Sequence, residues 1–228
     1  MLTLIALGLI LPQQTYEIAR QVSPGAKQAY TIKTTIHAGL AIAYSGRMLE
    51  TIDAVEPNGT YTVRVTTTAG ELKVGDDTFT SEAAEPTLIK RSTSGAVLEI
   101  VGVTSDPDRY RLATLDAFYY PGKAVAVGDT WRREGPGNVR QAAPPYRADY
   151  TVEALETVGG VEALKIKAAV QEIRSEKAAR AEGTYWISTK DGWIVKADLD
   201  WIGVPFWGSP NPVNVKLAIE RIPIADGS

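Results

Sequence analysis

The strongest constraint on this chain is its punctuation by turn-forming dipeptides. Asn58-Gly59, Ser94-Gly95, Gly159-Gly160 and Asp191-Gly192 each separate segments in which apolar and polar residues alternate. Asn-Gly and Asp-Gly accept the positive φ that tight hairpin turns demand, so such pairs between alternating segments predict hairpins. After Asn58-Gly59, Tyr61, Val63 and Val65 point one way while Thr62, Arg64 and Thr66 point the other. Alternation is also visible at Tyr30, Ile32 and Ile36, resumes from Tyr146, and ends in a last strand predicted over residues 214–222. No segment carries a long helical stripe. The best helical candidates are residues 16–22 and 170–183, and the second reads equally well as a strand running into a charged loop.

The fold class expected is all-β with minor helix: a single curved antiparallel sheet, half-barrel or open barrel, of roughly ten strands. Residues 15–228 are expected to form a single β-rich domain, with two related sheet halves joined around 104–147. A faint internal echo links "GRMLETIDAVEPNGTYTVRVTTT" to "YTVEALETVGGVEALKIKAAV". Duplication explains it, and so do two meanders obeying the same turn chemistry.

Charge and composition narrow the function classes. The 24 basic and 27 acidic residues leave a formal charge of −3, without a basic block. A nucleic-acid partner therefore has no electrostatic footing, and a polybasic membrane patch is absent. With no cysteine, the chain has no disulfide, thiol nucleophile, thiolate metal site or lipid-modified cysteine anchor. Residues 2–11, "LTLIALGLIL", are too few to span a bilayer, which takes about 20 residues, but match the apolar core of a secretory signal. No Lys or Arg precedes the run and no small-x-small site follows, so a truncated signal peptide over 1–14 stands beside a buried first element. The protein is expected to be exported, periplasmic or extracellular, without an integral membrane segment in its mature chain.

Catalytic chemistry finds little material. His37 is the single histidine, it lies in "TTIHAGL", and no Gly-x-Ser-x-Gly elbow accompanies it. Zinc wants several His or Cys ligands, so no metal and no cofactor are expected. Asp198 and Asp200 share one strand face, about 6–7 Å apart, a separation glycosidases use. Lys196 falls on the same face and makes a solvated polar row the simpler reading. Asp76, Asp77, Asp106 and Asp108 read as turn residues, and Asp129 as a turn cap that leads Trp131 into the sheet. Gly135-Pro136-Gly137 lacks the Lys-Ser/Thr of a phosphate loop.

The aromatic residues leave more open. Five Trp and ten Tyr stand against three Phe, a bias toward rings with a polar handle. Phe206 and Trp207 fall in a Pro/Gly-rich loop, and Tyr119 and Tyr120 precede Pro121. Such loop aromatics either plug the end of a barrel or line a binding mouth. In "GTYWISTKDGWIVKADLDWIG", strand period places Trp193, Val195, Ala197, Leu199 and Trp201 on one face. Ile194, Lys196, Asp198, Asp200 and Ile202 fall on the other. A bulge expected at Gly192 leaves the face of Trp186 undetermined.

"PGKAVAVGDTW" (121–131) and "GTYWISTKDGWIVKADLD" (183–200) resemble motifs of exported bacterial β-sheet proteins. Their layout is similar to the LolA-like half-barrel of periplasmic lipoprotein carriers, over roughly residues 28–222. The resemblance implies a curved sheet around an apolar cavity closed by short helices or loops, with a lipid or other apolar small molecule as ligand. It brings no catalytic residue, and the missing lipobox cysteine favours a soluble form. On this reading Trp193, Leu199 and Trp201 form the ligand wall, Phe206 and Trp207 a lid, and Tyr119 and Tyr120 part of the mouth. The alternatives are a scaffold module recognising protein or glycan through exposed aromatics, and an acid hydrolase using Asp198 and Asp200.

Overall fold

The computed structural model describes residues 13–38, 40–103, 106–138, 143–174, 177–206 and 211–224. In chain order they form β1 (Lys27–Ala38), β2 (Leu40–Val55), β3 (Tyr61–Thr67), β4 (Gly70–Val74), β5 (Asp77–Ser81), β6 (Thr87–Arg91) and β7 (Val97–Ile100). Helix α1 (Pro107–Leu115) follows, then β8 (Thr130–Gly135), β9 (Tyr146–Val158), β10 (Val161–Glu172), β11 (Arg180–Ser188), β12 (Ile194–Val204) and β13 (Val213–Ile222). All strands belong to one 13-stranded sheet of order β7-β6-β3-β2-β1-β13-β12-β11-β10-β9-β8, with β4 branching from β2 and β5 pairing with β4. The sheet is antiparallel and does not close. Strands preceding α1 occupy one wing and strands following it the other, and they join where β1 pairs with β13.

The dipeptide turns fall where expected: Asn58-Gly59 between β2 and β3, Ser94-Gly95 between β6 and β7, Gly159-Gly160 between β9 and β10, and Asp191-Gly192 between β11 and β12. The strand count exceeds ten in part because residues 70–81 fold into the separate β4–β5 hairpin.

The sheet curls around a plug made of its own chain. Residues 117–121 are all buried, and Phe118 is the centre of an aromatic cluster. Its ring meets Tyr120 at 5.0 Å, Tyr150 at 5.0 Å, Tyr185 at 5.2 Å and Trp131 at 6.1 Å, all edge-on. Such pairs add about 0.5–1.5 kcal/mol each beyond their burial. A buried loop must also satisfy its backbone, and here side chains of the sheet do so. Tyr119 N–H donates to Tyr150 Oη at 3.0 Å, Trp131 Nε1 donates to Tyr119 O at 2.8 Å, and Arg133 Nη2 donates to Tyr120 O at 3.0 Å. Tyr120 Oη in turn donates to Gly192 O at 2.7 Å.

The helical expectation for residues 16–22 is corrected, and for residues 170–183 the strand alternative holds. Residues 16–22 are an extended strap whose inward residues alternate, with Tyr16 and Ile18 buried and Glu17 and Ala19 exposed. Tyr16 N–H donates to Val125 O at 2.8 Å and Gln21 N–H to Asp191 O at 2.9 Å, so the strap is stitched along the sheet. Residues 170–172 end β10 and residues 180–183 begin β11. The helix that does form, α1, arises from residues read as a turn. Asp106 caps it by accepting from Arg109 N–H at 3.0 Å, and Pro107 occupies the first turn, where a missing N–H costs nothing. Tyr110 Oη accepts the Ile100 N–H at 2.7 Å, which fixes α1 against β7. No helix among the described residues is long and apolar enough to cross a membrane.

Candidate functional site

Between the plug and the first wing of the sheet lies an inner cavity of about 110 Å³. Its wall is mostly apolar but includes four charged side chains. Arg20 comes from the strap, Glu50 from β2, Arg91 from β6 and Asp116 from the end of α1, with Tyr30 and Tyr61 between them. The two charges carried by strands, Glu50 and Arg91, enter on positions that sequence period assigns to the apolar face. Glu50 follows Met48 and precedes Ile52, and Arg91 follows Ile89.

One pair of these charges forms a direct ion pair. Arg20 Nη2 donates to Glu50 Oε2, and their side chains retain 10% and 15% exposure. Burial is the largest single influence and opposes the Arg20 charge, but Glu50 together with Tyr61, Tyr120 and Tyr30 outweighs it and holds the guanidinium protonated. The guanidinium carbon also sits 3.7 Å from the Trp193 ring centroid. Arg91 Nη1 donates to Gly95 O at 3.0 Å, which closes the β6–β7 turn. Asp116 lies opposite. Burial raises its pKa to about 6, opposed by the Arg91 charge and aided by Glu50. Burial likewise drives the Tyr30 hydroxyl well above its usual range. Three donors in this wall are buried without a hydrogen-bond partner: Arg20 Nε, Arg91 Nε and Tyr30 Oη.

Asp116 also lines a second hollow on its outer side. This groove of about 460 Å³ runs between α1 and the β6–β7 hairpin and ends on Trp201 of β12. Pro86, Ile89, Ile100, Val103 and Leu112 give it an apolar floor, and Arg109 and Glu85 stand at its rim. The Trp201 Nε1 is a further buried donor without a partner.

The residues singled out from sequence divide by environment. Trp201 lines the groove and Tyr120 the inner cavity. Trp193 and Leu199 are packed into the core at 5% and 4% exposure, and Tyr119 belongs to the plug at 1%. Phe206 is half-buried against the core, and Trp207 lies outside the described residues. The expected face of the last hairpin is corrected at one residue. A bulge between β11 and β12 pairs Ile187 with Ile194 and Trp186 with Lys196, leaving Val195 unpaired. Ile194, not Val195, therefore faces the cavity, while Ala197, Leu199 and Trp201 keep the inner face. Trp186 is on the outer face, donating to Glu156 Oε2 at 2.8 Å beneath Lys196.

His37 is exposed at the end of β1, opposite Asn214. Asp198 and Asp200 are exposed on the outer face, where Asp198 pairs with Lys196 at 2.7 Å and Asp200 with Lys216 at 3.7 Å. These are solvated ion pairs, and neither carboxylate borders the groove or the inner cavity.

No family model and no curated protein matches the sequence. Among solved structures, the chain is similar to the hypothetical lipoprotein YmcC from Escherichia coli, at 14% identity over 86% of this chain and 85% of that one, with a TM-score of 0.33. It is also similar to a lipoprotein, likewise hypothetical, from Parabacteroides distasonis, at 13% identity over 92% of this chain and 100% of that one, with a TM-score of 0.33. At such TM-scores the likeness carries no functional argument. The resemblance to the lipoprotein-carrier half-barrel rests on the sequence motifs.

Proposed function

We propose that this is an exported binding protein that holds a lipid-like, amphiphilic molecule by its apolar part in the groove between α1 and the β6–β7 hairpin. The observation that carries this reading is that Asp116 lines two hollows: a groove of about 460 Å³ outside, floored by Pro86, Ile89, Ile100, Val103 and Leu112, and a cavity of about 110 Å³ inside that gathers four charged side chains. A purely apolar ligand enclosed in the concavity fits less well, because the Phe118-Tyr119-Tyr120 plug fills most of that space. The groove has the volume range of a small-molecule site. Burial of apolar ligand surface there would supply about 25 cal/mol per Å² before the costs of association. Export is supported by the apolar run at residues 2–11.

A flat aromatic platform for protein or glycan is less favoured, since Trp131, Trp193, Tyr119, Tyr120, Tyr150 and Tyr185 are all buried. Native mass spectrometry of the protein purified from its source cells, with organic extraction of the same sample, tests the binding reading. A consistent co-purifying amphiphile supports it. A clean ligand-free mass, with no apolar probe displaced by amphiphiles in vitro, overturns it.

A further inference from the structure

We propose that the inner cavity is a carboxylate-binding site, with Arg91 and Tyr30 as donors, and that the anion enters together with a proton taken up by Asp116. Three observations converge on it. Arg20 Nε, Arg91 Nε and Tyr30 Oη are buried without partners, and all three side chains line the same cavity. Tyr30 is 2% exposed and Arg91 8%, so bulk water does not complete their bonding. An arginine N–H can only donate, so the missing complement is an acceptor with several lone pairs. Oxyanions supply that and ammonium groups do not.

The charge count selects among oxyanions. Glu50 is committed to Arg20, which leaves Arg91 facing Asp116 across the cavity. The tyrosines lining the same cavity are Tyr30 on β1, Tyr61 on β3, Tyr120 in the plug, whose hydroxyl is held by Gly192 O, and Tyr185 on β11, whose hydroxyl lies 3.5 Å from the Asp116 carbonyl oxygen. On the groove side stand Arg109 of α1 and Glu85. With Asp116 ionised the four cavity charges cancel; with Asp116 protonated one positive charge remains. That balance accommodates a monoanion, whereas a dianion would bring a second charge with nothing to compensate it. A cavity of about 110 Å³ admits a carboxylate with a few waters. The carboxylate has two sources: a free short-chain acid, or the end of an acyl chain lying in the groove. Only the second source rests on the function proposed above.

Calorimetric titration of the full chain with acetate and with decanoate, at about pH 5 and about pH 8, separates them. Proton-coupled binding should weaken about tenfold per pH unit above the titration of Asp116. Asp116→Asn should remove that dependence and bind as tightly at the higher pH as the parent does at the lower. Tyr30→Phe should weaken both ligands about fivefold or more while leaving the melting temperature unchanged or raised, because it deletes a buried hydroxyl that has no partner. Binding of both acids with this pattern supports the proposal. Acetate binding with the pattern, without decanoate binding, supports the carboxylate site and counts against the groove. Decanoate binding that ignores pH, Asp116→Asn and Tyr30→Phe, and is matched by decylamine, overturns the carboxylate site and leaves the groove standing. Failure of both acids to bind also overturns it.

Discussion

Arg20 sits over the Trp193 ring, 3.7 Å from its centroid, while the same guanidinium donates to Glu50. The strap, β2 and the start of β12 thus meet at one charge that is almost out of water. Arg20→Ala should cost about 3–5 kcal/mol in urea unfolding, because it leaves the largely buried Glu50 carboxylate without its partner. The double variant Arg20→Met/Glu50→Leu should cost much less than the sum of its single changes, since it removes both charges together. Additive costs would mean that the two residues act independently.

Asp116 makes stability depend on pH. Its carboxyl titrates near 6 in the folded chain, where burial outweighs the Arg91 attraction, and near 3.9 in an unfolded one. Between those values the folded chain binds more protons, so stability should fall as pH rises from about 4 to about 6. The loss attributable to this group is about 2 kcal/mol and should vanish in Asp116→Asn. Chemical denaturation across that window, parent against variant, isolates the slope.

Gly192 holds φ at +68°, and a β-carbon there would run into the Ala19 carbonyl. Gly192→Ala should therefore cost about 1–2 kcal/mol from backbone strain alone, and should also push the strap off the sheet. The local readout is hydrogen exchange at the Gln21 amide, which donates to Asp191 O at 2.9 Å. Its protection should collapse while amides in the middle of β10 stay protected.

Arg111 anchors α1 to the far wing, donating from Nε and Nη2 to Glu172 at 2.7 and 2.8 Å. The Glu172 side chain is 2% exposed. Arg111→Leu should destabilise the fold by about 3 kcal/mol and loosen the helix that walls the groove. An apolar groove-binding probe should then lose affinity; Arg132→Leu, at an exposed pair outside the groove, should leave it unchanged.

Much of the architecture was legible in the sequence because hairpin turns are local. Each Gly-containing pair needs a particular φ, and each fell where its residues required. The outer row of Lys196, Asp198 and Asp200 was legible for the same reason: strand period is local as well. Three features depended on longer range. The bulge that exchanges Ile194 for Val195 is a one-residue event set by pairing with β11, and alternation alone gives no sign of it. The strap at residues 16–22 has good helix formers, yet its period-two burial is imposed by the sheet it crosses. The inner cavity gathers Arg20, Glu50, Arg91 and Asp116 from four separate segments. A signal for it was present, since Glu50 and Arg91 occupy inward positions of apolar strands. A charge on an apolar face marks either a buried pair or a site, and only the fold reveals which charges share a cavity.

The binding reading is tested most directly by methyl-labelled NMR of the full chain titrated with decanoate. The shifts should concentrate on Ile89, Ile100, Val103 and Leu112, which line the groove, and on the indole N–H of Trp201. Shifts confined to Val158, Val161 and Val195, around the separate hollow of about 410 Å³, or no saturable shifts at all, would contradict a ligand site in the groove beside α1.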